Sequence, residues 1–238
     1  MKGSGTNKMN IKKYELASDL NIDFANEIAA KLTQGIAENG RASLLVSGGS
    51  TPRPLFAVLS DLDIEWQKVD ISLVDDRWVD ADDDASNEKM VKEALLINKA
   101  SSAQFFGLKT PQTDAFAAVE EVKKNLADIQ TPFDVVILGM GEDGHTASIF
   151  PCCEQLDEGL NTTEVLLATQ PTTAPHQRMT FSKTALLNSK QLYLHLVGAN
   201  KETVLEKVLE GTNEKEAPIR AFLQQRDVPI TIMFAKNK

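Results

Sequence analysis

The 238-residue chain predicts an α/β fold: a single-domain, three-layer α/β/α sandwich on a mostly parallel, Rossmann-like sheet. Three observations carry that prediction. Short, unbroken apolar runs rich in Val, Ile and Leu recur along the chain, as expected of strands buried on both faces in a parallel sheet. Amphipathic stretches of helical period lie between them, and strands alternating with helices cover a sheet on both sides. Several apolar runs end directly in loops dense in Gly, Ser, Asp or His, and open α/β sheets bind ligands beyond the carboxyl ends of their strands. No internal repeat and no dividing linker interrupts the pattern.

Met1 to Asn10, MKGSGTNKMN, is polar and glycine-containing. It reads as a disordered start or an expression remnant, which leaves 11–238 as the domain. Ser18 is placed to cap a helix in which Leu20, Phe24, Ile28, Leu32 and Ile36 recur every four residues until Asn39-Gly40. Ala42 to Val46 follows as a strand and leads into Ser47-Gly48-Gly49-Ser50-Thr51-Pro52, where Pro52 suits the first position of a helix through about Ser60. Two glycines allow tight curvature, hydroxyls donate, and a helix N-terminus offers free N–H groups with partial positive charge. Gly48, Gly49, Ser50 and Thr51 are therefore expected to cradle a phosphate or carboxylate, although an ordinary strand-to-helix turn has the same composition. No Gly-Lys-Ser/Thr follows, so this is not a nucleotide P-loop.

Val69 to Val74 is the next strand, ending in Asp75-Asp76-Arg77-Trp78. Arg77 is suited to orient an anionic or hydroxylated substrate and Asp75 to bind sugar hydroxyls; a surface Asp–Arg pair is the plainer alternative. The acidic run Asp80 to Asp84 lacks the ligand spacing of a calcium loop and reads as a solvated, mobile segment. Thr110-Pro111 opens a helix with Phe116, Val119, Val122, Leu126 and Ile129 on one face.

Phe133 to Leu138 is a buried strand bounded by Pro132 and Gly139, and it runs into a glycine-rich turn that holds His145. An imidazole with an unperturbed pKa of about 6.5 can accept a proton at neutral pH, so His145 is the candidate general base. A histidine capping the following helix is the structural alternative. The turn also spells Gly139-x-Gly141-x-x-Gly144, the dinucleotide fingerprint. Glu142 and Asp143 would repel a pyrophosphate there, so the pattern is read as a decoy.

Arg178, in Pro175 to Thr180, and Lys201, after the strand Gln191 to Val197, offer a planar fork and a point charge to an anion. His176 and His195 are read as structural. Asn200 is placed to cap a helix with Val204, Leu205, Val208 and Leu209 as its buried stripe, and Pro229 to Ala235 is the last strand.

Composition narrows the partners. A formal charge of −9 disfavours nucleic acid and anionic membranes, so an anionic ligand must be met by local positive charge. Cys152 and Cys153 are adjacent and the only cysteines, which argues against a disulfide framework or a zinc site and for a reducing compartment. No apolar stretch approaches the roughly 20 residues that span a bilayer, and a cytoplasmic location is expected. Oligomeric state is left open.

The strings SGGSTP at 47–52, VDDRWV at 74–79, SNEKMV at 86–91, GMGEDGHTASIFP at 139–151, RMT at 178–180 and GANK at 198–201 resemble, in order, those of the 6-phosphogluconolactonases. These are soluble enzymes of the oxidative pentose phosphate pathway, within the larger group of glucosamine-6-phosphate deaminase and isomerase relatives. The resemblance implies hydrolysis of a small sugar-phosphate lactone, 6-phospho-D-glucono-1,5-lactone, to 6-phospho-D-gluconate, with no cofactor, metal or covalent intermediate. It implies His145 as the base that activates water, with Asp143 in the catalytic pair and, beside Asp75 and Arg77, along the sugar side. Gly48, Gly49, Ser50, Thr51, Arg178 and Lys201 would hold the 6-phosphate. Deaminases of the group carry an acidic residue five places after the matching histidine, where this chain has Phe150. A deaminase-like activity and a non-catalytic sugar-phosphate-binding protein are the two rival expectations.

Overall fold

The computed structural model describes residues 9–238. The chain opens with β1 (Met9–Leu16), α1 (Ala17–Asn39), β2 (Ala42–Val46), α2 (Arg53–Ser60), β3 (Val69–Leu73), β4 (Asp75–Arg77), α3 (Asn87–Ala94) and β5 (Gln104–Phe106). It continues through α4 (Ala115–Asn125), β6 (Val135–Leu138), α5 (Leu156–Asn161), β7 (Leu166–Thr169), β8 (Arg178–Phe181) and α6 (Lys183–Leu187). The last elements are β9 (Leu192–Val197), α7 (Ala199–Glu210), α8 (Arg220–Leu223) and β10 (Ile230–Asn237).

Seven parallel strands form the main sheet in the order β1-β10-β9-β6-β2-β3-β5, with helices on both sides. Every residue of β2, β3 and β6 is buried, and β6 accordingly reads as an unbroken apolar run, while β3 also buries Asp70 and Ser72. From β2 the chain builds outward to β3 and β5; from β6 it builds the other way to β9 and β10. The reversal between β2 and β6 leaves a crevice beyond their C-terminal ends.

A second, three-stranded antiparallel sheet, β4-β8-β7, lies beside this crevice and was not expected from the sequence. Asp75, Asp76 and Arg77 form its β4 strand instead of ending the strand before it. The first strand was also not expected: Met9 and Asn10 pair in parallel with Ile230 and Thr231, so the domain includes part of the segment read as a disordered start. Its mixed burial and its lysines hide it from an apolar-run criterion, because an edge strand is only half covered. The remainder of that segment, 1–8, lies outside the described residues.

Four helix starts differ from the sequence reading, and in α2 Pro52 is the N-cap residue. Extended Leu16, and not Ser18, occupies the N-cap of α1, with no side-chain cap bond. Thr110-Pro111 precedes α4, which begins at Ala115 after Asp114 accepts from the Phe116 N–H; Phe116 itself is 43% exposed, and Ala115, Ala118 and Val122 face inward. Gly198, at φ 114°, precedes α7, so Asn200 sits inside the helix instead of capping it. The expected end of α1 holds, with Gly40 left-handed at φ 78°.

Helix α1 is pinned to β9 by Phe24, whose ring lies 4.8 Å from that of Tyr193 and 5.4 Å, edge-on, from that of His195. His195 is 5% exposed and also lines the crevice, with both ring nitrogens unpartnered among the described residues, and burial alone pushes its pKa from 6.5 down to about 4. The folded value lies below the unfolded one, so the stabilisation from a neutral His195 is complete above pH 6.5 and lost as pH falls towards 4. On this basis, urea denaturation should show wild type losing about 3 kcal/mol more than His195→Leu between those two pH values.

Candidate active site

The crevice at the strand reversal is a cavity of about 210 Å³. Its floor is the loop after β2. Gly49 adopts φ 92°, and a Cβ on Gly48 would fall 1.9 Å from Asn87 Oδ1, so neither position accepts a side chain as built. Ser47 Oγ donates to the Ile137 carbonyl at 2.8 Å, tying the loop to β6. Gly48, Gly49 and Thr51 line the cavity, whereas Ser50 is exposed and outside its lining. Pro52 takes the cap position of α2 and not its first turn, and the N-terminal end of that helix borders the cavity.

Arg77 and Arg178 also line the crevice, and they stand directly opposite one another across the β4–β8 ladder. Like charges in that arrangement repel, and an anion between them would reverse the sign of the interaction. Arg77 donates to the Ala85 carbonyl at 2.7 Å and Arg178 to the Pro175 carbonyl at 3.2 Å. Burial draws the Arg178 pKa below its usual value, with nearby Asp75 opposing, and its buried Nε has no partner among the described residues. Lys201 donates to the Met140 carbonyl at 2.8 Å from the first turn of α7, where the helix dipole disfavours a cation. Among the described residues, none of these three cations is in an ion pair, while fifteen other lysine or arginine contacts to carboxylates are made elsewhere, for example Lys12 with Glu27 at 2.7 Å. The site keeps its positive charge uncommitted.

Asp75 reaches the crevice but is 7% exposed, and Ser148 Oγ donates to its Oδ2 at 2.5 Å. Its neighbour Asp76 points away and accepts the α3 N–H groups of Asn87 at 2.7 Å and Glu88 at 3.2 Å. Burial pushes the Asp76 carboxyl up to about 7 against those donors. That anchorage delivers Asn87 to the cavity wall, where its Nδ2 donates to the Asp75 carbonyl at 3.0 Å. Asn87 was not a candidate from the sequence, and only its place in the SNEKMV string pointed to it.

His145 lies in a loop with no helix until α5, which removes both the helix-capping alternative and the helix that a dinucleotide fingerprint must open. Its ring is 29% exposed. Nδ1 meets Asp143 Oδ1 at 2.6 Å, and the same oxygen accepts the His145 main-chain N–H at 3.1 Å. Half-burial raises the Asp143 pKa, but these bonds from His145 outweigh it and the net shift is downward. Asp143 stands behind the imidazole and is absent from the cavity lining, so the structure does not place it along the sugar side with Asp75 and Arg77. With Nδ1 engaged, Nε2 is the ring nitrogen left to exchange a proton.

Gly141 packs against the same ring, and a Cβ there would lie 2.1 Å from His145 Nδ1. Gly141→Ala should therefore displace the imidazole and break its bond to Asp143. The check is a shift of the His145 ring resonances by NMR with an unchanged far-UV circular dichroism spectrum.

Residues 15–231 match the family model described as glucosamine-6-phosphate isomerases/6-phosphogluconolactonase. The chain is similar to a 6-phosphogluconolactonase of Rhizobium meliloti, with 38% identity covering 95% of this chain and 98% of the relative. It is also similar to the crystal structure of a 6-phosphogluconolactonase from Shewanella baltica, at 48% identity and TM-score 0.94 over 95% of this chain and 97% of the other. A monomeric glucosamine-6-phosphate deaminase shares the fold, at 18% identity and TM-score 0.78 over 94% of this chain and 97% of the other.

Proposed function

The chain belongs to the glucosamine-6-phosphate isomerase/6-phosphogluconolactonase family, and we propose that it hydrolyses 6-phospho-D-glucono-1,5-lactone to 6-phospho-D-gluconate with His145 as general base. The observation that carries this reading is a hydrogen-bonded Asp143–His145 pair at the mouth of a cavity whose three cations are in no ion pair among the described residues. The enzyme is placed in the oxidative pentose phosphate pathway of the cytoplasm. No helix among the described residues is long and apolar enough to cross a membrane.

In this mechanism the 6-phosphate sits on the Gly48–Thr51 loop, gripped by Arg178 and Lys201, while Asp75 and Arg77 face the sugar. Anchoring at the phosphate fixes the lactone carbonyl relative to the base, converting remote binding energy into orientation. Nε2 of His145 takes a proton from water as the oxygen attacks the carbonyl carbon. Asp143 holds Nδ1–H and offsets the charge of the imidazolium as it forms. Collapse of the tetrahedral oxyanion expels the ring oxygen, which takes the proton back from Nε2 and leaves as an alcohol. A positioned base contributes about 10²–10⁴-fold.

The rival deaminase chemistry must move a carbon-bound proton, and Phe150 cannot carry one. A non-catalytic sensor has no use for a base held in one orientation by a carboxylate.

The first test generates the lactone in place and follows its loss, corrected for spontaneous hydrolysis. Wild type should accelerate it, and His145→Ala should remove about 10²–10⁴-fold of the rate while retaining the fold. A wild-type rate in that variant would exclude His145 from the mechanism. Arg178→Ala should raise KM for the phosphorylated lactone well above any change in kcat; an equal loss with an unphosphorylated lactone would remove the arginine from phosphate binding.

A further inference from the structure

The imidazole of His145 is stacked on the ring of Phe150, with centroids 3.9 Å apart and planes at 20°. The same ring carries the Arg178 guanidinium 5.5 Å from its centroid. Phe150 is 3% exposed, so one buried aromatic contacts both the base and the arginine assigned to the phosphate.

The backbone between the two stacked residues is shaped to produce this contact. Thr146 and Ile149 close a tight turn, with the Ile149 N–H donating to the Thr146 carbonyl at 3.0 Å. Ala147 within it adopts φ 49°, a left-handed conformation that costs a non-glycine residue energy. Ser148 holds the turn through Asp75 at 2.5 Å and Thr180 at 3.2 Å. The turn folds residue 150 back over residue 145.

We propose that Phe150 is a positioning residue for the hydrolysis: it fixes the plane of the His145 ring by packing on one face, while Asp143 fixes its rotation at Nδ1. This inference rests on the base role given to His145 above. An aromatic suits the place better than a polar residue for a second reason. A carboxylate there would pair with Arg178 and neutralise the charge the substrate phosphate needs, whereas a ring face attracts the guanidinium without cancelling it. Misplacing a reacting group by about 1 Å can cost about 10²-fold, so a contact of this kind has kinetic consequences even though the ring touches no reacting atom.

The test compares Phe150→Leu with Phe150→Tyr, each alone and with His145→Ala. Phe150→Leu should lower kcat about 10–100-fold with KM for the phosphorylated lactone within about threefold of wild type. Phe150→Tyr, which keeps the ring, should restore most of kcat. Phe150→Leu should slow the residual rate of His145→Ala no further, because a residue acting through the base has nothing left to position. A leucine variant with wild-type kcat, or one that slows the His145→Ala enzyme by the same factor, overturns the proposal.

A readout independent of activity is the Cε1–H resonance of His145, assigned by its absence in His145→Ala from the three histidines. It should be shifted upfield by the ring current in wild type and Phe150→Tyr, and not in Phe150→Leu. An unshifted wild-type resonance overturns the stack whatever the activity. A shifted resonance in a wild type that does not hydrolyse the lactone overturns the lactonase reading, and with it the catalytic meaning of the stack.

Discussion

The crossovers that leave β2 and β6 travel in opposite directions, so neither covers the C-terminal ends of these two adjacent strands. The rest of the site depends on this constraint. It puts the Gly48-Gly49 loop and the Gly139–His145 loop side by side, and Ser47 Oγ bonds one to the other through the Ile137 carbonyl at 2.8 Å. Strand β9, next to β6, brings Lys201 to the same opening. A glycine loop, an imidazole and a lysine thus converge from segments some 150 residues apart in sequence, Gly48 to Lys201.

The small antiparallel sheet supplies what parallel strands alone would not. By pairing Arg77 with Arg178, it concentrates two guanidiniums where main-chain carbonyls, and not carboxylates, hold them. In a chain of net charge −9 this segregation matters, because the long-range field opposes an anionic ligand and only nearby, uncommitted donors can overcome it. The same sheet steadies the histidine loop through a buried polar chain: Ser148 donates to Asp75, its N–H to Thr180 Oγ1, and Thr169 Oγ1 to its carbonyl. Satisfied networks of this sort hold one conformation, since any slip leaves a buried group unpaired.

Much of the architecture was legible in the sequence where burial is complete. Strands such as Leu44 to Val46 and Val135 to Leu138 touch apolar neighbours on both faces, and that environment writes itself as a run of Val, Ile and Leu. The loops after them were legible because clusters of Gly, Ser, Asp and Pro interrupt the apolar runs. Half-covered elements were not. Strand β1 has no fully buried residue, β4 is three residues long, and the start of α3 is held by Asp76 as well as by its own Ser86 cap.

Within the site, the sequence by itself determined which chemical groups are present and which strand ends carry them: an imidazole, three cations, a glycine-rich loop and a phenylalanine five places after the histidine. Tertiary structure alone decided what each group does to the others. It set Asp143 behind His145, left Ser50 outside the cavity, brought Asn87 into its wall and laid Phe150 on the imidazole. The physical reason is that burial and periodicity are averages along the chain, whereas a hydrogen bond of 2.6 Å or a ring contact of 3.9 Å depends on the orientation of individual side chains. Those orientations exist only once the turns and the two sheets are in place.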